Sequence, residues 1–188
     1  MADPFATAGE LAQYIGSAAP SALSRVQQLL ELASSTIRSF CSQTLSVVVD
    51  DVVTVYPTAS TLLTLPQRPV TAVSSVMVDG VAETDFYVMP RGIRSGTLAS
   101  PGSAWASGAT VTYSHGYAES TEEYKTIKSI CLAAASRAYT MNERGQSEVL
   151  GSQWGGASAL ESAGFAPEVF LTPGEKLILT RFKRGPVR

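Results

Sequence analysis

The chain has 188 residues, of which 45% are hydrophobic and only 16% charged, with a net charge of −2. That length fits one domain with or without a small insert, and the apolar content rules out a disordered chain. Charge well below the roughly 25% of an average soluble protein leaves Gly, Ser, Thr and Ala to cover much of the surface, which suits a surface met by partners.

The charge is unevenly spread. Five of the 14 basic residues, Lys176, Arg181, Lys183, Arg184 and Arg188, fall in positions 176–188, where there is no acid. The other 9 share residues 1–175 with all 16 acids, so a body of about −7 carries a basic end. An acidic body argues against a dedicated nucleic-acid binder; the basic end suits solvent, an acidic protein surface or DNA.

In chain order, Thr7-Ala8-Gly9-Glu10 has the capping-box pattern and predicts a short helix through Ile15, closed by Gly16. A longer amphipathic helix is predicted over about 21–43, with Val26, Leu29, Leu30, Ala33, Ile37, Phe40 and Cys41 in one stripe. The period then becomes that of strands. LSVVVDDVVTVYP, TLLTL, PVTAVSSVMVDGV, DFYVMP, GIRSGTLA and GATVTYSHGY are rich in β-branched residues and punctuated by Gly and Pro, with Asp79-Gly80 as a hairpin turn. Residues 45–117 thus read as an antiparallel unit of five or six strands.

Helical period returns after Ser120-Thr121-Glu122-Glu123, read as a second capping box, and runs to about Asn142 with Tyr124, Ile127, Cys131, Ala134 and Ala138 on one face. Residues 145–166 are rich in Gly and Ser and read as a loop. Thr172-Pro173-Gly174-Glu175 opens a last short helix that leads to the basic end. The layout is α+β: helices at both ends (1–44 and 118–188) around an inserted antiparallel β-unit (45–117). No βαβ alternation supports a parallel nucleotide-binding sheet.

Signs of chemistry are few. One histidine and two distant cysteines cannot supply the usual zinc spacings, and neither glycine-rich phosphate-loop pattern is present. Cys41 and Cys131 each fall on a helix stripe and are expected to pack. Asp50 and Asp51 should face opposite sides of their strand unless a bulge intervenes. His115 in Tyr113-Ser114-His115-Gly116-Tyr117 has no carboxylate placed beside it by local spacing, and reads as a corner where a strand ends. No catalytic, metal or cofactor site is expected. The N-terminus has no secretory pattern and no apolar run is long enough to span a bilayer, so a soluble, reducing compartment is expected. Trp154 and Phe165, isolated in the glycine-rich segment, are candidates for docking on another chain.

The order of an early amphipathic helix, "LPQRPVTAVSSVMVDG", a strand reading Trp105-Ala106-Ser107-Gly108-Ala109-Thr110-Val111-Thr112-Tyr113, "VTYSHGYAE", "IKSICLAAASRAY", "GQSEVLGSQWGG" and "LTPGEKLILTRF" resembles the head–tail connector (adaptor, or head-completion) proteins of tailed phages. The resemblance runs from about residue 7 to residue 183. It implies a helical bundle with no catalytic residues, assembled from copies of itself as a ring, typically of about twelve subunits. Such a ring would sit below the portal protein, extend the channel through which genomic DNA passes unread, and meet a downstream stopper or tail-terminator protein. The implied location is the virion's head–tail junction, after assembly in the host cytoplasm. Trp154, Phe165, Arg181, Phe182, Lys183, Arg184 and Arg188 become candidates for docking on the portal or a neighbour. The alternatives are another neck or tail-terminator ring protein, a β-rich module binding ligands through Trp105, Trp154 and the tyrosines, and, last, an enzyme.

Overall fold

A computed structural model describes residues 3–16, 23–56, 62–95, 108–151 and 169–183. Among them are four α-helices, α1 (Ala8–Ile15), α2 (Leu23–Cys41), α3 (Glu122–Gly151) and α4 (Pro173–Leu179), the last continued by a 3-10 turn, Thr180–Phe182. Seven strands lie between α2 and α3: β1 (Val48–Val55), β2 (Leu62–Thr64), β3 (Val70–Val78), β4 (Val81–Ala82), β5 (Phe86–Met89), β6 (Gly92–Ser95) and β7 (Ala109–His115). The fold is α+β, and every strand pair is antiparallel.

The chain divides into two compact units. One comprises residues 1–40 and 125–181, the other residues 41–124 and 182–188. In the helical unit, the stripe expected on α2 is buried at Val26, Leu29, Leu30, Ala33 and Ile37, and that on α3 at Ile127, Cys131, Ala134 and Ala138. Small residues on α3 let side chains and backbone approach closely, the close packing that interiors require. Buried Ser34 is satisfied: its Oγ accepts from Phe5 N at 3.0 Å and lies 3.4 Å from Cys131 Sγ. Neither cysteine is in a disulfide, and both are buried; burial pushes the Cys131 thiol up and the Cys41 thiol up to about 11. Packing is their role here.

The helix ends follow local rules. Thr7 and Glu10 cap α1 reciprocally, and Gly16 closes it at φ 72°. Thr172 and Glu175 do the same for α4, with a proline in its first turn. The start of α3 differs from the expectation: Tyr124 N donates to Thr121 Oγ1 at 3.3 Å, so Thr121 caps the helix and the reciprocal Ser120–Glu123 box does not form. Glu122 and Glu123 still lie in the first turn, where the helix dipole favours acids. α3 also runs past Asn142 to Gly151, so the first third of the expected glycine-rich loop is helix.

The β-unit holds two sheets. Their orders are β1-β7-β3-β4 and β2-β6-β5, so where five or six strands are expected over 45–117 the described residues form seven, in two sheets. The period of two along β7 buries Ala109, Val111, Tyr113 and His115 on one face. Those first three pack with Leu63, Leu65, Val70 and Val76 to form the core. The other face bears hydroxyl pairs, Thr54 with Thr110 at 3.2 Å and Ser75 with Thr112 at 3.0 Å.

Candidate functional site

The corner Tyr113–Tyr117 is built by an irregularity in the sheet. β1 pairs with β7 at Val48–His115 and again at Asp51–Tyr113, which leaves one extra residue on β1. Asp50 takes it up at φ 52°, a left-handed conformation that aspartate tolerates better than most residues. The bulge turns Asp51 toward His115, whose Nε2 lies 3.2 Å from Asp51 Oδ2. Asp50 is held the other way, its Oδ1 accepting from Ser74 Oγ at 2.5 Å and its N donating to Ser114 Oγ at 3.2 Å.

His115 is interior: its side chain is 2% exposed, against 39% for Asp51. Burial lowers its pKa from the ordinary 6.5, and the bond and charge of Asp51 only partly offset this. The ring is therefore neutral at pH 7, with Nε2–H donating to the carboxylate. Nδ1 is buried and meets no hydrogen-bond partner among the described residues. A histidine–aspartate pair of this kind could orient a base, but a base also needs a nucleophile or water within reach of its free nitrogen. Ser114 lies on the opposite side of the strand and is engaged with Asp50. Gly116 completes the corner at φ 98°, and a Cβ there would stand 2.1 Å from the Ser46 carbonyl oxygen. The pair thus fixes β1 to β7 at the point where the chain turns.

Two glutamines secure the segment Leu65-Pro66-Gln67-Arg68-Pro69-Val70. Gln43 is buried; its Oε1 accepts from Arg68 N at 2.8 Å and its Nε2 donates to the Phe182 carbonyl. Gln67 Oε1 accepts from Thr44 N at 2.9 Å, and Gln67 N donates to Tyr113 Oη at 3.3 Å. Polar side chains here substitute for strand pairing, because backbone groups leaving a sheet still need partners.

In the helical unit, Arg137 makes a two-pronged bond to Glu175: Nη1 to Oε1 at 2.9 Å and Nη2 to Oε2 at 2.8 Å. Nη2 also donates to the Phe170 carbonyl at 3.1 Å, and the guanidinium lies 5.5 Å from the centre of the Phe170 ring. Burial pushes the Glu175 carboxyl up, but Arg137 and Thr172 outweigh it and hold it below the usual range. This clamp sets α4 so that Leu179 is buried while Leu177, 76% exposed, and Ile178 face outward beside exposed Lys176 and Arg181.

Of the residues expected to dock on a partner, Arg181 and Lys183 are exposed. Phe182 is not: it is 3% exposed, with its ring edge-on to Tyr117 at 5.5 Å, so it serves the interior and not a surface. Trp154, Phe165, Arg184 and Arg188, like Trp105, lie outside the described residues. Among the described residues no group of His, Cys, Asp and Glu is placed to hold a metal, and no helix is long and apolar enough to cross a membrane.

No protein-family model matches the chain, and no curated protein matches it in sequence. Solved structures do match. A chain of the neck of an empty GTA particle, computed with C6 symmetry, aligns with a TM-score of 0.55 at 13% identity, covering 96% of this chain and 90% of that one. A chain of the neck of a native GTA particle, computed with C12 symmetry, aligns with 0.53 at 13% identity over 96% and 89%. A chain of the virion of a native gene transfer agent (GTA) particle aligns with 0.55 at 13% identity over 100% and 95%. The fold is one found in a GTA neck. At 13% identity the likeness concerns the fold alone, and it embraces both units, since nearly all of each chain is covered.

Several of these features carry little sequence signal. Asp51 is 64 positions from His115, and Arg137 is 38 from Glu175. The one local cue was the adjacent pair Asp50-Asp51 in an otherwise apolar strand, where a bulge relieves two acids of facing opposite sides.

Proposed function

We propose that the chain is a structural component of a particle neck, a head–tail connector that assembles as a ring below the portal. The observation that carries this reading is the match along 96–100% of the chain to chains of GTA necks and virion, one of those necks computed with C12 symmetry. Copies of the chain, about twelve in a closed ring, would extend the DNA channel and offer their far side to a stopper or tail-terminator protein. The role is structural: the one histidine–aspartate pair is spent on a sheet corner. An acidic body suits a channel wall, because a lumen that repels phosphate lets DNA slide. The exposed cations Arg181 and Lys183 are the described residues best suited to meet an acidic rim of the portal, with Arg184, Arg188, Trp154 and Phe165 as further proposed contacts.

The test is native mass spectrometry and cryo-electron microscopy of portal-bearing, DNA-packaged capsids that lack tails, mixed with the purified protein. Binding at about twelve copies per vertex is expected. Capsids that leave the protein entirely in solution would overturn the reading.

A further inference from the structure

Two surface patches of opposite charge expose apolar side chains that nothing in the described chain covers. The first is the outward face of α4 and its 3-10 extension. Leu177 and Ile178 stand there beside Lys176 and Arg181, within a segment, 176–188, that has five bases and no acid. The second is the β3–β4 hairpin. Val81 is 70% exposed at its tip, and Asp79, Glu83 and Asp85 flank it in sequence, within a segment, 70–85, that has no base. An apolar centre rimmed by charge is the composition of a protein interface, and here the two rims have opposite signs.

We infer that the chain binds a second copy of itself head to tail, with the apolar and basic face of α4 on one copy seated on the acidic β3–β4 hairpin of the next. Neither patch can pair with itself: a two-fold contact through α4 would set Lys176 and Arg181 against their own likeness, and one through the hairpin would oppose three acids. Each patch finds its complement on any identical copy, so the contact is heterologous, and such contacts close into rings when the rotation permits. The inference rests on the reading of the chain as a ring component and names the surfaces that would form the ring.

The test is sedimentation velocity of the full chain from about 10 µM to about 1 mM, a range that brackets weak but specific association. The average mass should rise with concentration and fall as salt is raised, because the rims attract across solvent. Leu177→Asp and Val81→Asp should each weaken association by about tenfold or more. Both positions are exposed, so the variants should keep the wild-type circular dichroism and melting temperature. An equimolar mixture of the two variants retains one intact pair of patches and should form dimers that grow no further. A wild type that stays monomeric throughout, variants that associate like the wild type, or a mixture that gives no dimer would each overturn the inference. Binding to tail-less capsids is scored separately. Association unaffected by both substitutions, with capsid binding intact, removes this pairing and leaves the neck role; capsid binding absent while the patches pair as described does the reverse.

Discussion

His115 and Asp51 lie 64 positions apart and meet at 3.2 Å, with the imidazole sealed from water and the carboxylate partly open to it. Because burial lowers the pKa of His115, the unfolded chain binds a proton more readily than the folded one. Stability therefore declines as pH falls from the ordinary histidine value of 6.5 toward the lower folded value. Glu10 and Glu175 also have lowered pKa values, but their contributions are lost only below the ordinary 4.5. Between pH 6.5 and pH 4.5 the slope thus belongs chiefly to His115 among the shifted groups. Urea unfolding at intervals across that window should show it in the wild type and show it flattened in His115→Gln. An equal slope in both proteins would refute the assignment.

Gly116 should tolerate no side chain. At φ 98°, with a Cβ position 2.1 Å from the Ser46 carbonyl oxygen, Gly116→Ala must both strain its own backbone and displace a neighbouring one. A loss of about 3 kcal/mol or more is expected, read as a lower urea midpoint at unchanged m-value. Gly80, also at positive φ but with open space around it, should lose about 1 kcal/mol on the same change.

Removing Arg137 leaves Glu175 partly buried without its cation. Arg137→Met keeps most of the packing and should cost about 2 kcal/mol, in the range for hydrogen bonds to charged groups. Thr172→Ala, which removes only the cap, should cost about 1 kcal/mol. Hydrogen exchange should then quicken in α4 under both substitutions, and more under the first. Exchange confined to wild-type rates would show that α4 is held by Leu179 alone.

The basic end can be tested for portal docking without cutting it away. Deletion of residues 181–188 would also remove Phe182, which is interior, and so confuse folding with binding. Lys183→Glu leaves Phe182 in place, reverses a charge, and spares Arg181 of the head-to-tail face. Capsid binding should fall at least tenfold, with the loss largest at low salt. Undiminished binding would assign the docking surface elsewhere.

What could be read from sequence was whatever repeats at short range. The stripes of α2 and α3, the capping boxes of α1 and α4, and the Asp79-Gly80 hairpin are each specified within a few residues, and each appears. The Thr121 cap was displaced by one position because Ser120 and Thr121 are both able caps, and only the path of the chain chooses between them. The glycine content of 145–151 suggested a loop, yet α3 continues through it; helix already formed propagates at little cost per residue. The pairings that shape the corner and the clamp depend on register between distant strands and helices. No spacing rule encodes those, and the burial of Phe182 is likewise a tertiary property that no local pattern announces.

Lys128, on α3, bonds Glu10 of α1 at 2.6 Å, and Arg137, nine positions on, grips Glu175 of α4. Nine residues are about two and a half turns, so the two cations leave α3 from opposite sides. A helix tethered on only one side can roll about its axis; one tethered on both cannot do so without breaking a bond. α3 is thus held against rotation from two flanks, by ion pairs that tie it to α1 on one side and to α4 on the other.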